Sequence, residues 1–286
     1  MRQDVHRDDA WEAWMGVSEQ AERAGQQAHR SDWTDRAARA GLVAYGIVHL
    51  VIGVLAVQLA FGDRSGSSDA TGALQALAEQ PFGDVVLWAV AVGLFLLAIW
   101  QALEAAVGFR DEDGFERVRH RLAAAGKTIV YGFLGVTGVQ IVMGSGGGGG
   151  GTDSMTARVM DAPGGQLLVG AIGAAIFGFG GYLIVRGWTD QVKDDVSNAG
   201  ASGATGRVVV ALGRVGHTAK GIAFGIVGVL FVSAAVQHEP KESGGLDQAL
   251  REILDQPFGP VLLCVIGAGI GAYGLFALAQ ARYFTR

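Results

Sequence analysis

The side chains with the most chemistry in this chain are ionisable groups set inside apolar runs. His49, Glu104, Arg186 and Lys220 each stand within, or at the edge of, a run of about 20 apolar residues. An unpaired charge in hydrocarbon costs several kcal/mol, so such groups pair, reach water or serve a function. His49 lies eight residues into the first run, about 12 Å along a helix. Glu104 is roughly one turn from the end of the second run, and Lys220 is near the start of the fifth. Arg186 and Gln280 share a position 23 residues after a proline, Pro163 and Pro257 respectively. These five residues predict a polar cluster near one membrane face, with Glu104 paired to Arg186 or Lys220. Such a cluster closes a central pathway or binds a charged solute. The competing expectation is that Arg186 and Lys220 snorkel to the headgroups, with Glu104 in interfacial water. His49 reads in three ways: neutral and hydrogen-bonded between helices, proton-sensitive or solute-contacting, or a haem or metal ligand. His6, His29, His120, His217 and His238 supply no partner at ligand spacing, so no metal and no cofactor are expected.

Enzyme signatures are absent. The chain has no G-x-x-x-x-G-K-[ST], H-E-x-x-H, C-x-x-C or G-x-S-x-G. The run Gly267-Ala268-Gly269-Ile270-Gly271-Ala272 fits a dinucleotide pattern but sits midway along an apolar run with no strand before it. Read as G-x-x-x-G, Gly267 and Gly271 form a helix-packing surface, as do Gly221 and Gly225. The lone cysteine, Cys264, excludes an internal disulfide and a zinc cluster. The net charge of −5 leaves no basic surface for nucleic acid.

The elements that must position these residues are membrane helices. Half of the chain is hydrophobic and its mean hydropathy is +0.33, too apolar for a soluble fold. The apolar residues fall into six runs, 41–61, 85–107, 122–143, 166–185, 215–236 and 260–281, each long enough to span roughly 30 Å of hydrocarbon. A short amphipathic stretch precedes each even run. It is seen in Leu74, Leu77 and Ala78, in Met155, Val159 and Met160, and in Leu246, Leu250, Ile253 and Leu254. Pro81, Pro163 and Pro257 then end these stretches and turn the chain into the even runs. Trp33, Trp88, Trp188, Tyr283 and Phe284 read as interface belt residues.

The runs repeat. Tyr45-Gly46, Tyr131-Gly132 and Lys220-Gly221 register at spacings of 86 and 89 residues, and the three prolines at 82 and 94. Gly46, Gly132 and Gly221 are therefore expected to pack the odd helices. The domain expectation is a tail at 1–36, in which Trp11, Trp14 and Met15 share a helical face, followed by three two-helix units at 37–114, 115–200 and 201–286. Two crossings per unit give parallel repeats. The predicted fold is all-α, six transmembrane helices as three tandem hairpins in a pseudo-threefold arrangement, with a short amphipathic helix in each connection. Lys and Arg number 16 on the face carrying both ends of the chain and four on the other (Arg64, Arg158, Lys241 and Arg251). The positive-inside rule then makes both termini cytoplasmic, in a bacterial plasma membrane.

Three copies of a two-helix unit with a short helix before the proline, and the Gln80-Pro81-Phe82-Gly83 and Gln256-Pro257-Phe258-Gly259 turns, resemble the bacterial membrane-protein family called domain of unknown function 1206. The resemblance covers roughly residues 37–286. Lys220 in place of tyrosine and Gly164 in place of phenylalanine depart from the internal consensus. The resemblance implies a fold and a membrane, and no catalytic residues.

Two function classes follow. One is a non-catalytic accessory or scaffold protein, or a lipid binder, with the bilayer, a bound lipid or another membrane protein as partner. The other is a small-solute transporter or channel lined by His49, Glu104, Arg186 and Lys220. Polar residues converging on the threefold axis favour the second. Glycines closing that axis favour the scaffold.

Overall fold

A computed structural model describes residues 32–63, 66–109, 113–144, 152–194, 203–239, 243 and 245–283. The expectations on Trp11, Trp14, Met15, His6, His29, Arg64, Lys241 and Phe284 lie outside the described residues, as do those on the side chains of Trp33 and Met155.

In chain order the described helices are α1 (Asp32–Ala60), α2 (Ala70–Ala78), α3 (Gly83–Val107), α4 (Gly114–Val142) and α5 (Thr152–Met160). They continue with α6 (Gly165–Trp188), α7 (Gln191–Asp194), α8 (Gly203–Gln237), α9 (Leu246–Leu254) and α10 (Gly259–Tyr283). Six are long and apolar enough to cross a membrane: α1, α3, α4, α6, α8 and α10. The chain is thus a multi-pass membrane protein with its helices in a lipid bilayer. The odd crossings α1, α4 and α8 run well beyond their apolar runs at the N-terminal end. Charged, helix-favouring sequence there continues the helix out of the hydrocarbon and finds packing partners. Arg121 donates to the Gly108 carbonyl at 3.2 Å and Arg117 to the Phe109 carbonyl at 3.2 Å, so α4 caps the end of α3.

One turn launches every even crossing. Gly83, Gly165 and Gly259 donate to the carbonyls of Gln80, Ala162 and Gln256 at 2.7, 2.8 and 2.8 Å. The residue before each glycine is left-handed: Phe82 at φ 62°, Gly164 at 77° and Phe258 at 61°. The apparent departure at Gly164 therefore puts the residue best suited to that backbone where the other copies tolerate phenylalanine. Phe82 and Phe258 are 86% and 82% exposed, placed to anchor at the lipid interface. A Cβ on Gly83 would run into the carbonyl oxygen of Ala78. Gly83→Ala is expected to cost about 1–3 kcal/mol, read as a lower thermal unfolding midpoint in mild detergent. An unchanged midpoint would contradict the turn's role.

The crossings pack side by side in the order α4, α3, α1, α10, α8, α6. Glycines seven residues apart bring two of the seams to backbone contact. On the α1–α10 seam a Cβ at Gly53 would stand 2.7 Å from the Gly267 oxygen, and one at Gly46 2.9 Å from the Gly274 oxygen. On the α6–α8 seam Gly180 and Gly221 would each meet the other's carbonyl oxygen at 2.6 Å, and Gly173 and Gly228 repeat the contact two turns away. Seven residues fall only about 20° short of two turns, so both glycines stay on one seam. The expected four-residue pairs lie on these same seams, Gly221 and Gly225 against Gly180, and Gly267 and Gly271 against Gly53. Gly225 and Gly271 have open space where a Cβ would go, and their backbones receive Gly180 and Gly53. Gly132 also faces open space, so it does not pack a helix as Gly46 and Gly221 do.

The threefold ring is incomplete. Every adjacent pair of crossings packs along its length except α4 and α6, the hairpin of the second unit. Only 22% of the apolar window of α6 and 33% of that of α4 is buried, against 44% for α3, α8 and α10. The short helices share this asymmetry. Leu74 of α2 and Leu250 of α9 are fully buried over the axis. The two helices are tied together where Asp247 accepts from the Ser68 backbone at 2.6 Å and Arg251 donates to the Gly66 carbonyl at 3.1 Å. Rather than lying on the bilayer, α2 and α9 form a lid over one end of the bundle, while α5 packs on α6.

Candidate functional site

The axis below that lid is polar and aromatic. Tyr45 of α1, Tyr131 of α4 and Lys220 of α8, the residues that register the three copies, come together there. The Lys220 ammonium donates to the Tyr45 hydroxyl at 2.9 Å and stands 3.7 Å above the Tyr273 ring of α10. Tyr45 meets Tyr131 edge-on with ring centres 5.1 Å apart and Tyr273 edge-on at 6.0 Å. His49, one turn on from Tyr45, packs 5.0 Å from the Tyr273 ring. His217, one turn before Lys220, packs 5.2 Å from the same ring on its other side.

His49 does not make the inter-helix bond the sequence suggested, and His217 bonds in the same way. Each Nδ1 bonds a carbonyl of its own helix, His49 to Tyr45 at 2.9 Å and His217 to Gly213 at 2.7 Å. A carbonyl only accepts, so Nδ1 carries the proton. Each neutral ring therefore keeps Nε2 as a free acceptor.

Lys220 makes no ion pair among the described residues, so the expected Glu104–Lys220 pair is not formed. The charges that act on it are those of Lys127 and Arg186, both cations. Glu104 sits at the end of α3, its carboxylate against Gly108. Gln280 is half-buried two turns past Tyr273. Glu104, like Arg186 and Gln280, lies 23 residues after its unit's proline, which puts the three at equivalent heights, nearer the termini than the Lys220 cluster. Of the five residues singled out from the sequence, His49 and Lys220 are in the cluster, Arg186 acts on it electrostatically, and Glu104 and Gln280 flank its exit.

Aromatic cages stabilise cations by about 0.5–2 kcal/mol each, and the Tyr45 hydroxyl takes one ammonium hydrogen. The remaining ammonium hydrogens and the two Nε2 atoms give the cluster both donors and acceptors. Lys220, Tyr45, His49 and Tyr273 are half-buried and not sealed, so the cluster borders accessible space. A separate concavity of about 610 Å³ lies outside the ring, between α1 and α2, lined by Leu50, Val54, Gln58, Gln75 and Gln80. Its charged residues are the acids Asp63 and Glu79, and it has no connection to the axial cluster.

The sequence reading used Tyr45 and Tyr131 only as registration marks and passed over Tyr273 and His217. The signal was available. Tyr273 is 16 residues after Pro257, as Phe179 is after Pro163 and Leu97 after Pro81, so the repeat marks it as an equivalent position in the even helices.

No solved structure matches the chain. Uncharacterized protein YxxB of Bacillus subtilis strain 168 is 29% identical over 255 residues, 88% of this chain and 91% of that one. A model of the family described as Domain of Unknown Function (DUF1206) matches three times, at residues 40–108, 122–190 and 215–283. Each match spans one pair of crossings with its short helix and turn. With three such matches covering most of its length, the chain belongs to the DUF1206 family.

Proposed function

We propose that this protein is a non-catalytic membrane protein that binds a small anionic ligand on its axis, with Lys220 as the charge that holds it. The carrying observation is the lysine itself, held by Tyr45 and Tyr273 at membrane depth with no carboxylate paired to it among the described residues. Burying a lone charge is costly, and an anion from outside the chain offsets that cost. The ligand-binding branch is favoured over the pure scaffold because the glycine seams run between neighbouring helices, while Tyr45, Lys220 and Tyr273 from three helices meet away from them. A bacterial plasma membrane with both termini cytoplasmic is included in the proposal, supported by the 16-to-four distribution of Lys and Arg.

Transport is the second reading. It is favoured by the short helices α2 and α9, tied to each other at one end of the bundle, where a gate on an axial path would stand. Native mass spectrometry of the full chain in mild detergent separates these from a scaffold. A stoichiometric anionic molecule released on denaturation is expected. A bare chain, or one carrying only a protein subunit, would contradict ligand binding.

A further inference from the structure

The concavity between α1 and α2 is graded in polarity from one end to the other. Its apolar wall is Leu50, Val51, Val54 and Leu55 of α1, and its polar end carries Gln58 with Gln75, Glu79 and Gln80. Leu50 lies at the middle of the 41–61 apolar run and Gln58 near its end, about 12 Å further along the helix. That is close to the depth of one leaflet, roughly half of a 30 Å hydrocarbon core. Val54 is 57% exposed, so the apolar wall faces the bilayer directly. The volume of about 610 Å³ falls within the roughly 300–1,000 Å³ of pockets that hold small molecules. Its charge is as selective as its shape. Among the described residues lining it there is no Lys, no Arg and no aromatic ring. An anionic headgroup finds no countercharge there, and a quaternary ammonium finds no aromatic cage. A primary ammonium finds the Glu79 carboxylate, with the Gln75 amide one turn away on the same face of α2.

From this we infer that the concavity binds a glycerophospholipid with an ethanolamine headgroup, taken from the leaflet on the α2 side. Its ammonium donates to the Glu79 carboxylate and its phosphodiester accepts from the Gln75 amide. One acyl chain lies along Leu50, Val51, Val54 and Leu55. The two-carbon ethanolamine bridge holds ammonium and phosphate at a spacing that suits side chains one helical turn apart, about 5–6 Å between Cβ atoms. The polarity of the concavity matches a lipid in its ordinary orientation, headgroup at the leaflet surface and tail toward the midplane. The concavity shares no residue with the axial cluster, and the inference does not rest on the Lys220 reading.

The test uses the full chain in mild detergent, with phosphatidylethanolamine and phosphatidylcholine of identical acyl chains as probes and retained lipid read by native mass spectrometry. The two differ only in the methyl groups that replace the ammonium hydrogens. Phosphatidylethanolamine is expected to bind about tenfold more tightly, and Glu79→Gln to abolish that preference. Glu79 caps the C-terminal end of α2, where the helix dipole disfavours an acid. The thermal midpoint of this variant therefore stays level or rises, which separates a binding loss from unfolding. Val54→Trp, at an exposed position, fills the groove and weakens retention of both lipids several-fold. Lys220→Gln leaves phosphatidylethanolamine retention unchanged. Equal retention of the two lipids, or a preference that survives Glu79→Gln, would overturn the ethanolamine assignment. Retention indifferent to Val54→Trp, or lost in Lys220→Gln, would overturn the site itself.

Discussion

Replacing Lys220 with glutamine is expected to weaken anion binding roughly ten- to a hundredfold, the worth of one charge-assisted hydrogen bond, and to leave the folded protein as stable or more so. Glutamine keeps an N–H for the Tyr45 hydroxyl, which Lys220 now donates to at 2.9 Å. It removes a buried charge that stands among other cations. Removing such a charge lowers the cost of burial, so a lysine kept for binding separates affinity from stability in opposite directions. A lysine kept as a structural strut between Tyr45 and Tyr273 behaves otherwise. Its loss would lower the unfolding midpoint, and any binding loss would follow from unfolding. Measuring affinity and thermal midpoint on the same preparation decides between them.

The seam glycines make the second large prediction. Gly221→Ala puts a methyl 2.6 Å from the Gly180 carbonyl oxygen, and Gly53→Ala puts one 2.7 Å from the Gly267 oxygen. Both contacts are with backbone, which cannot rotate away as a side chain tip can. Each substitution must push apart a pair of helices whose association rests on close packing. A loss of about 1–3 kcal/mol per site is expected. Gly225→Ala and Gly132→Ala meet nothing within 4 Å and are expected to be neutral, or stabilising by up to about 1 kcal/mol through helix propensity. Thermal midpoints of the four single variants test the pattern. Equal effects at Gly221 and Gly225 would contradict the seven-residue seam.

The architecture was legible in the sequence because hydrocarbon imposes it. Runs of about 20 apolar residues leave few alternatives to helices, and Pro81, Pro163 and Pro257 mark where the even crossings begin. The site was only partly legible. His49 and Lys220 stood out because charge and polarity are conspicuous in apolar sequence. Tyr45, Tyr131 and Tyr273 did not, because a tyrosine in a membrane helix looks like packing until its height and facing are known. The expected pairing of Glu104 with Lys220 misled for a related reason. Opposite charges at similar depth invite pairing, but which face of α3 carries Glu104 depends on how the helices are ordered around the ring. The opening between α4 and α6 has no counterpart in the repeat pattern, which predicts three equal hairpins. It reflects local differences, such as an unpacked Gly132, that internal symmetry hides.

The most direct test is an experimental structure of the full chain in a bilayer disc. The expected result is a bound molecule with an anionic group within hydrogen-bonding distance of the Lys220 ammonium, in an axis still open between α4 and α6. Contact between α4 and α6, with Lys220 turned out to the headgroup layer or paired with a carboxylate of this chain, would contradict the axial binding site.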